Sequence, residues 1–142
     1  MDKVRINKML TSGLVAGIVL SVLSYGGLFL AVNIEFFTPF FVEYLSGVFI
    51  SDQSRDFFFY SHAMLISFAL SFFWDRSRSI FSGPFLLRGL EFGITYTIAG
   101  LLPILWMTYS QIDVSETMVL SWLGFGFFQS TVAGMIFAKM NP

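Results

Sequence analysis

Charged residues fall along this chain in short groups, and the stretches between them are apolar. Lys8 to Glu35 encloses 26 uncharged residues, Asp56 to Asp75 encloses 18, Glu91 to Asp113 encloses 21 and Glu116 to Lys139 encloses 22. A helix needs about 20 apolar residues to cross ~30 Å of hydrocarbon. The pattern therefore predicts four transmembrane helices, at residues 9–34, 57–74, 92–112 and 117–138. Runs such as LVAGIVLSVL show no polar–apolar alternation, which argues against a barrel of short strands. A backbone in lipid must satisfy its own hydrogen bonds, so helices are the default. The expected fold is all-α: one up-down bundle in a single transmembrane domain.

Composition supports a lipid solvent. Of 142 residues, 56% are hydrophobic and only 12% charged, against about 25% charged in soluble domains. The first uncharged run exceeds the ~7–15 residues of a signal-peptide core, so an uncleaved start-transfer helix is expected.

Lysine and arginine placement sets orientation. Lys3, Arg5, Lys8, Arg76, Arg78, Arg88 and Lys139 fall on one side of the predicted topology, and only Arg55 on the other. Both termini are expected in the cytoplasm, at a bacterial inner membrane. The basic loop carrying Arg76, Arg78 and Arg88 reads first as that topology signal, and second as a contact for anionic headgroups or an acidic partner. IEFFTPFFVEYLSGVFI (34–50) and SIFSGPFLLRG (79–89) are too aromatic for plain linkers and are expected to lie along the interfaces. The first should be partly helical after Pro39, and Gly83-Pro84 should break the second.

Boundary residues fit these helices. DVSE at Asp113–Glu116 has the spacing of a capping box opening the fourth helix. Lys139 complements the dipole at its end, and Asp56 and Glu91 are expected near the starts of the second and third.

Small residues mark faces where helices approach closely in lipid. Gly13, Gly17 and Ser21 form one stripe, Ala63, Ser67 and Ser71 a second, and Gly126, Ser130, Gly134 and Ala138 a third. They read as intramolecular packing or, on the fourth helix, as a surface for a partner. Pro103 in AGLLPILW is expected to kink the third helix, since its ring clashes with the Ala99 carbonyl.

Few polar groups lie within the spans. His62, the only histidine, groups on a helical wheel with Ile66, Ala69 and Phe73. Ser24, Tyr25, Trp106 and Thr108 fall near its depth. A polar layer of Tyr25, His62 and Thr108 is one expectation; a hydrogen-bonded interfacial imidazole is another. Gln129 lies midway along the fourth span, where an unpaired amide is costly, and Ser21 is its expected partner.

Several function classes are disfavoured. The net charge of −1 gives no basis for nucleic-acid binding, and the absence of cysteine excludes disulfides and thiolate metal sites. A single histidine does not supply two axial haem ligands. No catalytic constellation or phosphate-cradling motif is present, so neither an enzyme, a cofactor nor a metal is expected.

GLVAGIVL in the first helix, the RGL that ends the second loop, LLP in the third helix and WLGFGFFQSTVAG in the fourth give a resemblance. The chain resembles a class of small bacterial four-helix integral membrane proteins. That resemblance implies the topology and no activity. The leading expectation is an accessory or scaffolding subunit of a membrane complex, or a homo-oligomer, in contact with lipids and membrane subunits. The alternative is a small channel or solute transporter in which Tyr25, His62, Thr108 and Gln129 meet the solute.

Overall fold

The computed structural model describes residues 3–41, 43 and 53–142. The described chain is all-α. It has α1 (Lys3–Asn33), a one-turn α2 (Thr38–Phe41), α3 (Asp56–Ser77), α4 (Phe85–Tyr96), α5 (Leu102–Gln111) and α6 (Glu116–Met140). A π-helical turn, Thr97–Leu101, joins α4 to α5 without a break. Four helices are long and apolar enough to cross a membrane: α1, α3, the continuous α4–α5 and α6. At 1.5 Å per residue, the 25 residues of α6 span about 37 Å.

Prolines punctuate this architecture. Pro84 is the N-cap of α4, preceded by Gly83 at φ +95°. Glycine adopts that left-handed conformation without a Cβ penalty, and the chain can turn sharply from α3 into α4. Pro103 follows the π turn directly. Its ring supplies no N–H, and the chain widens one turn ahead of it: the Leu102 N–H bonds to the Thr97 carbonyl, five residues back. The expected disturbance at Pro103 thus takes the form of a π turn.

Two boundaries differ from expectation. The third long helix starts at Phe85 and not at 92, so Glu91 sits in its second turn. The α6 cap is Ser115, whose hydroxyl accepts from the Met118 N–H at 3.1 Å. Asp113 is not the cap. The Glu43 carboxylate accepts from the Ser115 N–H at 3.1 Å, tying the first loop to this helix start. Residues 42 and 44–50 of the expected interfacial segment lie outside the described residues; its described part includes α2.

The helices pair antiparallel. Along α1 and α3, Arg5 meets Asp75, Gly13 meets Ser67 and Tyr25 meets Tyr60. Along α4–α5 and α6, Gly89 faces Met135, Gly93 faces Thr131 and Leu101 faces Gly126. α1 joins the two pairs by packing on α6. This up-down order brings the start of α1, the end of α3, the start of α4 and the end of α6 to one end. The buried core gathers there, around Trp74, Phe81, Phe92 and Phe137.

Candidate functional site

The small residues form two internal seams. On α1, a Cβ at Gly17 would collide with the Met64 sulfur, and one at Gly13 would lie 2.9 Å from the Phe68 ring. The close approach lets hydroxyls reach across. Ser67 lies 2.9 Å from the Gly13 carbonyl and 2.8 Å from its own helix's Met64 carbonyl, sharing its proton. Ser71 donates to the Met9 carbonyl at 2.6 Å, and the Ser12 hydroxyl is 3.2 Å from that of Ser71. Ala63 is buried in the same seam. Ser21 instead donates to the Gly17 carbonyl of its own helix.

The α4–α6 seam is tighter. A Cβ at Gly93 would fall on the Thr131 hydroxyl, and one at Gly89 would lie 2.6 Å from the Met135 backbone nitrogen. Gly134 faces Phe92 and the Gly89 backbone, and Gly126 lies under Leu101. Ser130 bonds back to the Gly126 carbonyl at 2.8 Å, and Ala138 is buried. The α6 stripe is therefore occupied by α4, the π turn and α5. Sequence reasoning missed Gly89 and Gly93, although their spacing of four in RGLEFG is the signal used on the other helices. Treating Glu91 as a boundary put Gly89 outside the span and so split the pair.

Gln129 is buried and donates to the Ser24 hydroxyl at 2.9 Å, which in turn donates to the Leu20 carbonyl at 2.7 Å. The expected partner, Ser21, is one turn away. Tyr25, His62 and Thr108 have separate partners. Tyr25 donates to the Tyr60 carbonyl at 2.5 Å, the His62 Nδ1 lies 2.6 Å from the Phe59 carbonyl, and Thr108 donates to the Ile104 carbonyl at 2.9 Å. Among the described residues no hydrogen bond joins these three into a layer. With Nδ1 as the donor, the His62 ring is held to its own helix.

The richest polar arrangement lies where the termini meet. The Asp75 carboxylate is fully buried and takes the Arg5 Nε–H at 2.8 and 3.0 Å. Arg5 also donates from Nη2 to the Asp75 carbonyl at 2.8 Å, satisfying one of the orphan acceptors at the end of α3. A cation here complements the dipole of that helix. Beside this pair, Trp74 stacks on Phe81 with ring centroids 5.6 Å apart and donates its Nε1–H to the Asn141 carbonyl at 2.9 Å. Arg78 donates to the Asn141 side chain at 2.7 Å, and the Arg88 guanidinium lies 5.0 Å from the Trp74 ring centre. Arg78 and Arg88, expected as a topology signal or headgroup contacts, also make these contacts within the chain. Arg76 is exposed, its guanidinium over the Phe72 ring at 5.2 Å.

Two clefts open on the sides of the bundle. One, of about 320 Å³, is lined by Ile80, Phe81, Glu91, Ile94 and Thr95. The other, of about 230 Å³, lies between α3 and the π turn, lined by Phe73, Tyr96, Ala99 and Gly100. Among the described residues no group of three or more His, Asp or Glu is placed to hold a metal ion. Comparison with family models, curated proteins and solved structures gives no match. The arrangement is mainly one of helix-to-helix attachment, although the buried Thr97 and Thr131 hydroxyls and the Arg88 Nε have no hydrogen-bond partner among the described residues.

Proposed function

We propose that the chain is a non-catalytic integral membrane protein of the bacterial inner membrane, acting as an accessory or scaffolding subunit of a larger membrane assembly. Both termini lie in the cytoplasm, following the lysine and arginine bias. What supports the subunit reading is the lateral groove at the π turn. The α4–α5 helix makes its extended seam with α6 alone, and Ala99 and Gly100 line the side turned toward α3. Small residues at such a place let another helix come close. The docking surface is this groove and not the α6 stripe, which is filled from within the chain.

The reading is tested by native mass spectrometry of the gently extracted protein, with a photo-crosslinking residue at Ala99 and a control at Ile104. Co-isolation of a membrane subunit that crosslinks at 99 and not at 104 is the expected result. A chain that remains monomeric and uncrosslinked in its own membrane overturns the subunit reading. Orientation is read separately. The chain lacks cysteine, so single cysteines at Ser79 and Asp113 report through an impermeant maleimide. In intact cells Asp113→Cys should label and Ser79→Cys should not.

A further inference from the structure

We propose that the cleft beside Glu91 binds the primary ammonium of an aminolipid headgroup. The cleft lies at the foot of α4, against the turn Arg78–Ile80. It is a shallow depression of about 320 Å³, largely open to its surroundings, on which a small headgroup can rest. Ile80 and Ile94 give it exposed apolar walls. Thr95 donates its hydroxyl to the Glu91 backbone carbonyl at 2.8 Å. The Glu91 carboxylate is therefore the one charged group lining the cleft, and it has no hydrogen bond or ion pair among the described residues.

The nearby cations are directed elsewhere. Arg88, one turn back on the same helix, packs over Trp74 and donates to the Arg78 carbonyl at 3.5 Å. Arg78 is bound to Asn141, and the Lys139 ammonium lies over the Phe85 ring at 5.9 Å. Glu91 is six residues beyond Phe85, or about 9 Å along the helix axis. With the bundle in a bilayer, that level is at the edge of the hydrocarbon, where an uncompensated carboxylate is costly.

Ligand chemistry follows from the donor set. One carboxylate supplies only one or two of the six or more oxygens around calcium or magnesium, leaving water to fill the rest. An ammonium offers a compact charge with three N–H donors, whereas a trimethylammonium has none. The cleft opens sideways and has apolar walls, which favours a lipid over a soluble amine. This inference needs the bundle to lie in a membrane, and it is independent of the subunit reading.

The test uses the full chain extracted with an equimolar mixture of phosphatidylethanolamine, phosphatidylcholine and phosphatidylglycerol of matched acyl chains. Lipids retained on the protein are counted by native mass spectrometry. The wild-type chain should retain the ethanolamine lipid about fivefold over either competitor, a preference near 1 kcal/mol. Glu91→Gln removes the charge, and Ile94→Trp fills the cleft while keeping it. Each should reduce the preference to parity with helicity unchanged by circular dichroism. A wild-type chain without the preference, or one whose preference survives Glu91→Gln, overturns the proposal. Displacement of the lipid by millimolar free ethanolamine overturns the lipid assignment in favour of a soluble amine.

Discussion

Gly93→Ala is the sharpest probe of the packing. The added Cβ would fall on the Thr131 hydroxyl and lie 3.0 Å from the Thr131 Cα. The hydroxyl can rotate away; the Cα belongs to the α6 backbone and cannot. α4 and α6 must separate by a few tenths of an ångström. Overpacking of this kind costs about 1–3 kcal/mol. Replacing glycine by alanine inside a helix also returns up to ~1 kcal/mol of propensity. Gly124→Ala isolates that second effect, because nothing lies within 4 Å of its Cβ position. The difference between the two variants is then the overpacking cost alone, a factor of about 5–150 in the folding equilibrium. Unfolding by dodecyl sulfate in mixed micelles, followed by circular dichroism, measures both. Thr131→Ala in the Gly93→Ala background removes the hydroxyl but leaves the Cα, so it should restore only part of the loss. Equal stability of Gly93→Ala and Gly124→Ala would refute the reasoning that this seam is set by backbone contact.

Three further outcomes follow from the same assay. Arg5→Ala strands the buried Asp75 carboxylate and should cost about 2 kcal/mol, the low end for a broken pair because the Arg5 side chain is 39% exposed; Arg5→Met with Asp75→Leu should recover most of it, and a loss equal to the sum of the single changes would contradict the pairing. Gln129→Leu and Ser24→Ala should each cost ~0.6–2 kcal/mol, with the double variant no less stable than Gln129→Leu alone; strict additivity would show that the two do not interact. Ser115→Ala should cost about 1 kcal/mol and speed hydrogen exchange at the Met118 amide, while Asp113→Ala should leave both unchanged; the reverse pattern would return the cap to Asp113.

Much of the architecture was legible because charge spacing and length carry it. The four uncharged runs became the four long helices, and the break at Gly83-Pro84 lies where backbone chemistry requires one. What was not legible depends on contacts distant in sequence. Arg5 and Asp75 are 70 positions apart, and each taken alone is an ordinary helix-end charge. Helix pairing was likewise hidden: the small stripes marked contact faces on α1, α3 and α6 but did not say which faces meet. Glu91 misled the reading at one point. Taken as the edge of a span, it concealed the first two turns of α4 and left out Gly89, one of the two glycines that hold α4 against α6. Ser24 and Ser21 show the limit of depth counting, since one turn of error selects the wrong hydroxyl for Gln129.

The π turn has a consequence for the helix it interrupts. Gly89, Gly93, Thr97, Leu101 and Leu105 recur at every fourth position, and Gly93 and Leu101 touch α6 near either end of the turn. On an uninterrupted α-helix a four-residue repeat drifts by about 40° per step, or ~160° over these four steps. Leu105 would then point away from the surface that Gly89 addresses. The extra residue in the wider turn takes back about 100° of that drift, in effect resetting the angular phase of α5. A single-residue deletion within 97–101 would restore a regular helix and leave its outer half facing the same neighbour, whereas making the turn regular at constant length would rotate that half by about 100°. Here an irregular turn keeps a long contact in step.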